Sequence, residues 1–147
     1  MSSLWLADTA MTEAVGASLA AMLRAGDVIT LSGQLGTGKT SIARGLLRAL
    51  GLAGEAPSPS FAIVQPYAPP EVRLPVLHVD LYRIEHAEEL EELGLDESLA
   101  DSALIVEWPE RAAGRWPDAL HLFVEAESTG RRLTWDVPAA WEGRWPT

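Results

Sequence analysis

Eight consecutive residues, Gly33-Gln34-Leu35-Gly36-Thr37-Gly38-Lys39-Thr40, satisfy the pattern G-x-x-x-x-G-K-[ST], with which a backbone cradles the phosphates of a nucleotide. Lys39 is the only lysine in the chain. Arginine serves elsewhere, so a compact ammonium is kept at the one place where a planar guanidinium would not fit among phosphates. Gly33, Gly36 and Gly38 let successive N–H groups turn inward around an anion. Thr40, in the first turn of a following helix, offers its hydroxyl to magnesium while the helix N-terminus faces the phosphates.

Phosphoryl chemistry also needs an acid that orients the metal or activates a nucleophile, usually at the end of a neighbouring strand. Two stretches end in one. Asp80 follows Val76-Leu77-His78-Val79 and Glu107 follows Ala103-Leu104-Ile105-Val106. Both acids are expected at the carboxyl edge of a sheet, where open α/β folds gather ligands. Lys39, Asp80 and Glu107 are the candidate catalytic residues, with Thr40 at the magnesium and either acid open to the metal or to the nucleophile.

The elements that must position these residues are legible in outline. Asp8 or Thr9 caps a first helix running to about Arg24, with Val15, Leu19, Met22 and Leu23 as its apolar stripe. Val28 to Leu31 reads as the buried strand entering the loop, and Ser41 to Leu50 as the amphipathic helix leaving it. Gly51 ends that helix. The prolines of Gly54 to Ser60 impose an extended loop. Phe61 to Gln65 and Pro75 to Val79 read as strands of a hairpin whose long tip holds Pro69-Pro70. Glu85 to Glu97 carries seven acids and no Lys or Arg, a short acidic helix with a solvated face or a docking surface. Ser102 to Val106 is a further buried strand. Ala119 to Glu125 and Arg132 to Val137 form a second hairpin through Ser128 to Arg131, and Trp141 and Trp145 in the 137–147 tail read as packing residues. The expected architecture is an α/β domain spanning 1–147, three-layered and phosphate-loop-like, with a mixed, mainly parallel sheet and a C-terminal hairpin extending it.

Composition limits the partners. The chain has 147 residues, a formal net charge of −10 and no cysteine, which excludes disulfides, thiolate nucleophiles and cysteine-type zinc sites. His78, His86 and His121 lack ligand spacing. So acidic a surface is repelled by DNA and RNA at long range. With neither a membrane-length apolar run nor a signal-like start, the expectation is a soluble cytoplasmic protein.

The ordered set Gly33 to Thr40, Ser58-Pro59-Ser60-Phe61, His78-Val79-Asp80-Leu81-Tyr82-Arg83, Leu93-Gly94-Leu95-Asp96-Glu97 and Val106-Glu107-Trp108-Pro109-Glu110-Arg111 closely resembles the TsaE (YjeE) family. The resemblance runs from the first helix to the Gly130-Arg131 hairpin. It implies a small bacterial ATPase using ATP and Mg2+, required for threonylcarbamoyladenosine (t6A) at position 37 of tRNA. It further implies action on a TsaB–TsaD pair that itself holds the tRNA. By motif, Lys39 would neutralise the phosphates, Thr40 and Glu107 would serve the magnesium, and Asp80 would lie near the metal. Thr9 or Thr12 near the adenine, Glu110, and Arg131 from the hairpin join Gly33 to Thr40 as nucleotide contacts. Ser60 and Trp108 are switch or partner positions. Ser60 stands where the family usually has threonine, keeping the hydroxyl and losing a methyl.

Rival readings are a small-molecule kinase, for which only Arg111 and Arg115 share a short segment and no acceptor motif stands out, and a non-catalytic module that holds nucleotide. A guanine-reading Asn-Lys-x-Asp motif is excluded, because the chain has no asparagine.

Overall fold

The structure is a computed structural model that describes residues 3–34, 38–54, 64–86, 88–112 and 115–145. Its centre is a seven-stranded sheet in the order β1-β7-β6-β2-β5-β4-β3, formed by β1 (Ser3–Leu6), β2 (Val28–Ser32), β3 (Val64–Tyr67), β4 (Val76–Asp80), β5 (Ala103–Glu107), β6 (Leu120–Glu127) and β7 (Gly130–Asp136). The four inner strands β6, β2, β5 and β4 run parallel, whereas β7 and β3 join antiparallel and β1 antiparallel to β7. The mixed, mainly parallel sheet expected from the sequence is present. Its C-terminal hairpin extends one side, but the edge there is β1.

Alternation along the inner strands separates two apolar layers. Ile29, Leu31, Val76, Ala103 and Ile105 face helices α1 (Thr9–Met22) and α2 (Lys39–Ala49), together with Trp141 and Trp145 of the tail. Val28, Val79, Leu104 and Val106 face Leu90, Leu95 and Trp116 on the opposite side. Asp8 caps α1, its carboxylate accepting from the Met11 N–H at 2.9 Å. Helix α2 lies unusually close to α1, since a Cβ built on Gly16 would stand 2.0 Å from the Ile42 carbonyl and one on Gly45 2.0 Å from that of Glu13. Only hydrogen fits at either contact, and this fixes where the first turn of α2 sits.

Three expectations need adjustment. Helix α2 begins at Lys39 rather than Ser41, so the lysine belongs to the helix itself. The acidic segment forms two short helices, α3 (Glu88–Glu92) and α4 (Leu95–Ser98), because Gly94 turns the chain at φ 64. The β6–β7 turn is only Ser128-Thr129, as Glu127 already pairs with Gly130. The expected strand start at Phe61 to Ile63 and the candidates Leu35, Gly36, Thr37 and Ser60 lie outside the described residues.

Candidate functional site

Strand register brings the two acids together. In the parallel pair β4–β5, Asp80 stands directly opposite Glu107. Side chains repeat every second residue along a strand, so Asp80, His78 and Glu107 share the sheet face with Val76 and Ile105, the face covered by α2. Thr40, in the first turn of α2, points its hydroxyl at this face, with Oγ1 3.4 Å from both carboxylate oxygens of Glu107. That spacing is long for a hydrogen bond between two side chains that face each other.

Gly38 makes the turn into α2. It caps the helix at φ 106, ψ 13, a conformation that strains any residue with a side chain. Lys39 follows, 5% exposed, and its Nζ donates to the Gly33 carbonyl while lying 3.7 Å from the centre of the Trp108 ring. Trp108 itself holds φ 60, uncommon for a bulky residue, and its ring meets that of Tyr82 at 4.9 Å. The chain thus turns sharply just after Glu107 and returns an indole face to the lysine. Within the described residues Lys39 has no carboxylate at ion-pair distance. Burial lowers its ammonium from the usual lysine range, and the fields of Glu107, Glu110 and Asp80 oppose that fall.

Asp80 and Glu107 are buried beside one another. Burial raises the Asp80 carboxyl above the ordinary aspartate range; the Tyr82 N–H at 2.9 Å opposes the rise and Glu107 adds to it. Glu107 is 3% exposed and takes its shortest contact, 2.6 Å, from His78 Nε2. Thr40, Glu107 and Asp80 form an all-oxygen donor set of the kind hard cations take. Among the described residues no three His, Cys, Asp or Glu side chains close on a metal position by themselves. Such a set suits magnesium, which keeps water and takes further ligands from phosphate oxygens.

Other candidates lie around this centre. Arg131 on β7 reaches across to α1, its Nη1 donating to Thr12 Oγ1 at 3.2 Å. It also lies against the end of the loop, since a Cβ on Gly38 would stand 2.4 Å from the same nitrogen. Thr12, rather than Thr9, makes this contact; Thr9 is exposed at the start of α1. Glu110 is exposed in a 3-10 turn (Pro109–Ala112) and lines a cleft of about 470 Å³ with Gly33, Gln34, Trp108, Phe123 and Glu125. Sequence reasoning gave no place to His78, whose Nε2 the structure brings to Glu107. Its signal was the two-residue spacing to Asp80, which puts both side chains on one face of one strand.

A family model described as threonylcarbamoyl adenosine biosynthesis protein TsaE matches residues 6–133, a stretch containing the loop, both acids and Arg131. The chain belongs to the TsaE family. Among TsaE proteins, that of Streptomyces coelicolor is 46% identical over 97 residues, 65% of this chain and 66% of that protein. The Mycobacterium bovis protein is 38% identical over 135 residues, covering 84% and 80% respectively. The crystal structure of Bacillus subtilis YdiB superposes with a TM-score of 0.78 at 27% identity, over 95% of this chain and 86% of that one. These TsaE relatives carry the name tRNA threonylcarbamoyladenosine biosynthesis protein. The fold is thus that of a phosphate-loop TsaE protein. No helix among the described residues is long and apolar enough to cross a membrane.

Proposed function

We propose that this TsaE protein binds ATP at its phosphate loop and hydrolyses it with magnesium, as the ATPase subunit serving t6A formation in tRNA. The observation that carries this reading is the convergence of Lys39, Thr40, Asp80 and Glu107 at the carboxyl edge of one sheet. A buried ammonium without a carboxylate partner among the described residues, beside two buried acids, is an arrangement suited to a polyanion together with a cation. Lys39 would leave the Trp108 face and the Gly33 carbonyl to bind phosphate oxygens. Magnesium, held by Thr40 and Glu107 with Asp80 beside it, would supply charge neutralisation between phosphate groups. Glu107 would accept a proton from, and orient, the attacking water, which needs a fixed carboxylate more than a strongly basic one. Arg131, anchored by Thr12 beside Gly38, would contact the nucleotide from the hairpin side, and Thr9 or Thr12 would lie near the base.

Partners belong to the same proposal. The acidic chain acts in the cytoplasm on a TsaB–TsaD-like complex that carries the tRNA, so its own contact with tRNA is indirect. A net charge of −10 supports that division of labour. Trp108 and Ser60 are the positions where nucleotide state would be passed to the partner. The test is ATP hydrolysis with magnesium, measured for the chain alone and with a TsaB–TsaD pair. The expected result is slow turnover that rises on adding the pair. Absence of turnover in both conditions would overturn the ATPase reading, and turnover indifferent to the pair would overturn the partner reading.

A further inference from the structure

We propose that His78 is a positioning residue for Glu107, holding one carboxylate oxygen and so fixing the carboxylate group beside Thr40 and the reacting centre. This inference deepens the proposed role of Glu107 and rests on it.

Three observations carry it. First, His78 is 1% exposed and its Nε2 lies 2.6 Å from Glu107 Oε2, the only polar contact His78 makes among the described side chains. Second, Nδ1 of the same ring is buried with no hydrogen-bond partner among the described residues. An N–H at Nδ1 would be a buried, unmatched donor, which costs more than a bare ring lone pair in the same place. The ring is therefore the Nε2–H tautomer, donating to Glu107 Oε2. Third, the contact follows from the strand pairing. His78 pairs with Ile105 and Asp80 with Glu107, so the imidazole reaches one step along β5 to the carboxylate on the shared face.

The function of such a bond is orientation. A glutamate has three rotatable side-chain bonds, and Glu107 must keep one oxygen available beside Thr40, which is 3.4 Å from each of its oxygens. Acids around a metal are commonly steered by hydrogen bonds from residues that never touch the metal, and losing such a residue costs 10–100-fold in activity or metal affinity. His78 meets that description. It is out of reach of solvent, sits on the scaffold strand rather than a loop, and binds Oε2 of Glu107.

Two amide substitutions separate positioning from simple packing. In His78→Gln the side-chain amide can occupy the place of Nε2 and keep the donor; in His78→Asn it reaches only as far as Nδ1 and loses it. The expectation for His78→Asn is a fall in kcat of about 10–100-fold, KM for ATP within about twofold of wild type, and weaker magnesium-dependent tightening of a fluorescent ATP analogue. His78→Gln restores most of each. Wild-type kcat in His78→Asn, or equal losses in both variants, overturns the proposal. A nitrogen-15 spectrum of the wild-type imidazoles keeps it testable if neither variant folds: the Nε2–H tautomer at His78 is expected, and an Nδ1–H tautomer overturns it. Failure of the underlying reading is distinguishable, because it would appear as full turnover in Glu107→Gln.

Discussion

The two ends of the parallel sheet treat charge in opposite ways. At the amino end, where the chain enters β2, Asp27 accepts both terminal nitrogens of Arg144, with Nη1 at 3.1 Å from Oδ1 and Nη2 on Oδ2. Arg144 also donates to the Met22 carbonyl at 2.7 Å and stacks 4.2 Å from the Trp141 ring centre. At the carboxyl end Lys39 has one carbonyl and an indole face, and the neighbouring acids crowd one another. Removing one member of a buried charge pair costs stability, as do buried charges left short of partners unless a ligand completes them. The amino end ties the C-terminal tail to the core, whereas the carboxyl end leaves Lys39 without a carboxylate partner among the described residues.

The sharpest way to break this contrast is at Lys39. Lys39→Ala is expected to abolish measurable turnover and to cost about 2–3 kcal/mol in ATP affinity, the value of a charge-assisted contact in a dry site. Its thermal stability without nucleotide should stay at or above wild type, because the buried ammonium it removes is not ion-paired. Isothermal titration and a melting curve on one sample check both halves. A large loss of stability would mean that Lys39 is a structural charge, and the contrast between the two ends would fail.

Arg144→Ala probes the other end. Removing one member of a largely buried ion pair that also satisfies a backbone carbonyl should destabilise the fold by about 2–4 kcal/mol. Turnover per folded molecule should be unchanged, which denaturant titration beside an activity assay would show. A drop in kcat without loss of stability would instead tie the tail to the chemistry.

Asp80→Asn should give a smaller effect of opposite sign. The folded-state value of Asp80 is raised by burial, so its stabilising contribution is fully present below the ordinary aspartate range and is lost as pH rises through the raised one. Asparagine has no such loss. The variant should therefore melt higher than wild type at neutral pH without nucleotide, with the difference closing as pH is lowered through the carboxylate range, while turnover falls. Melting curves across pH test this, and a variant less stable than wild type at neutral pH would contradict it.

The smallest effect is expected from the backbone at Trp108. A left-handed conformation costs a non-glycine residue about 1–2 kcal/mol, so Trp108→Gly recovers roughly that from φ 60 and loses ring contacts with Lys39 and Tyr82. The near-cancellation predicts a melting temperature within a few degrees of wild type. A large destabilisation would mean that the indole is core packing above all.

How much of this contrast was legible in the sequence follows from the range of each signal. The phosphate loop is a contiguous pattern, and the strand and helix flanking it are local periodicities, so β2 and α2 could be read directly. Asp80 and Glu107 were legible as strand-end acids, but their adjacency depends on β4 lying beside β5, which no local pattern states. Strand β1 was not legible. Ser3-Leu4-Trp5-Leu6 is four residues long and becomes a strand only by pairing with β7, where Leu6 meets Arg131. The contact of His78 is hidden for a related reason, since spacing to other histidines says nothing of it. Its partner is a carboxylate 29 residues away, supplied by sheet register. The Arg144–Asp27 pair spans 117 residues and left no trace in local sequence.

The most direct test of the central claim is a single-turnover experiment on Glu107→Gln. ATP and magnesium are mixed with excess wild-type or variant protein in the presence of the TsaB–TsaD pair, and bound and cleaved nucleotide are measured in the same samples. The structure predicts that both proteins bind ATP to a similar extent while cleavage by the variant falls by two orders of magnitude or more. Equal cleavage by the two would contradict the reading of the carboxyl edge as a catalytic site completed by nucleotide.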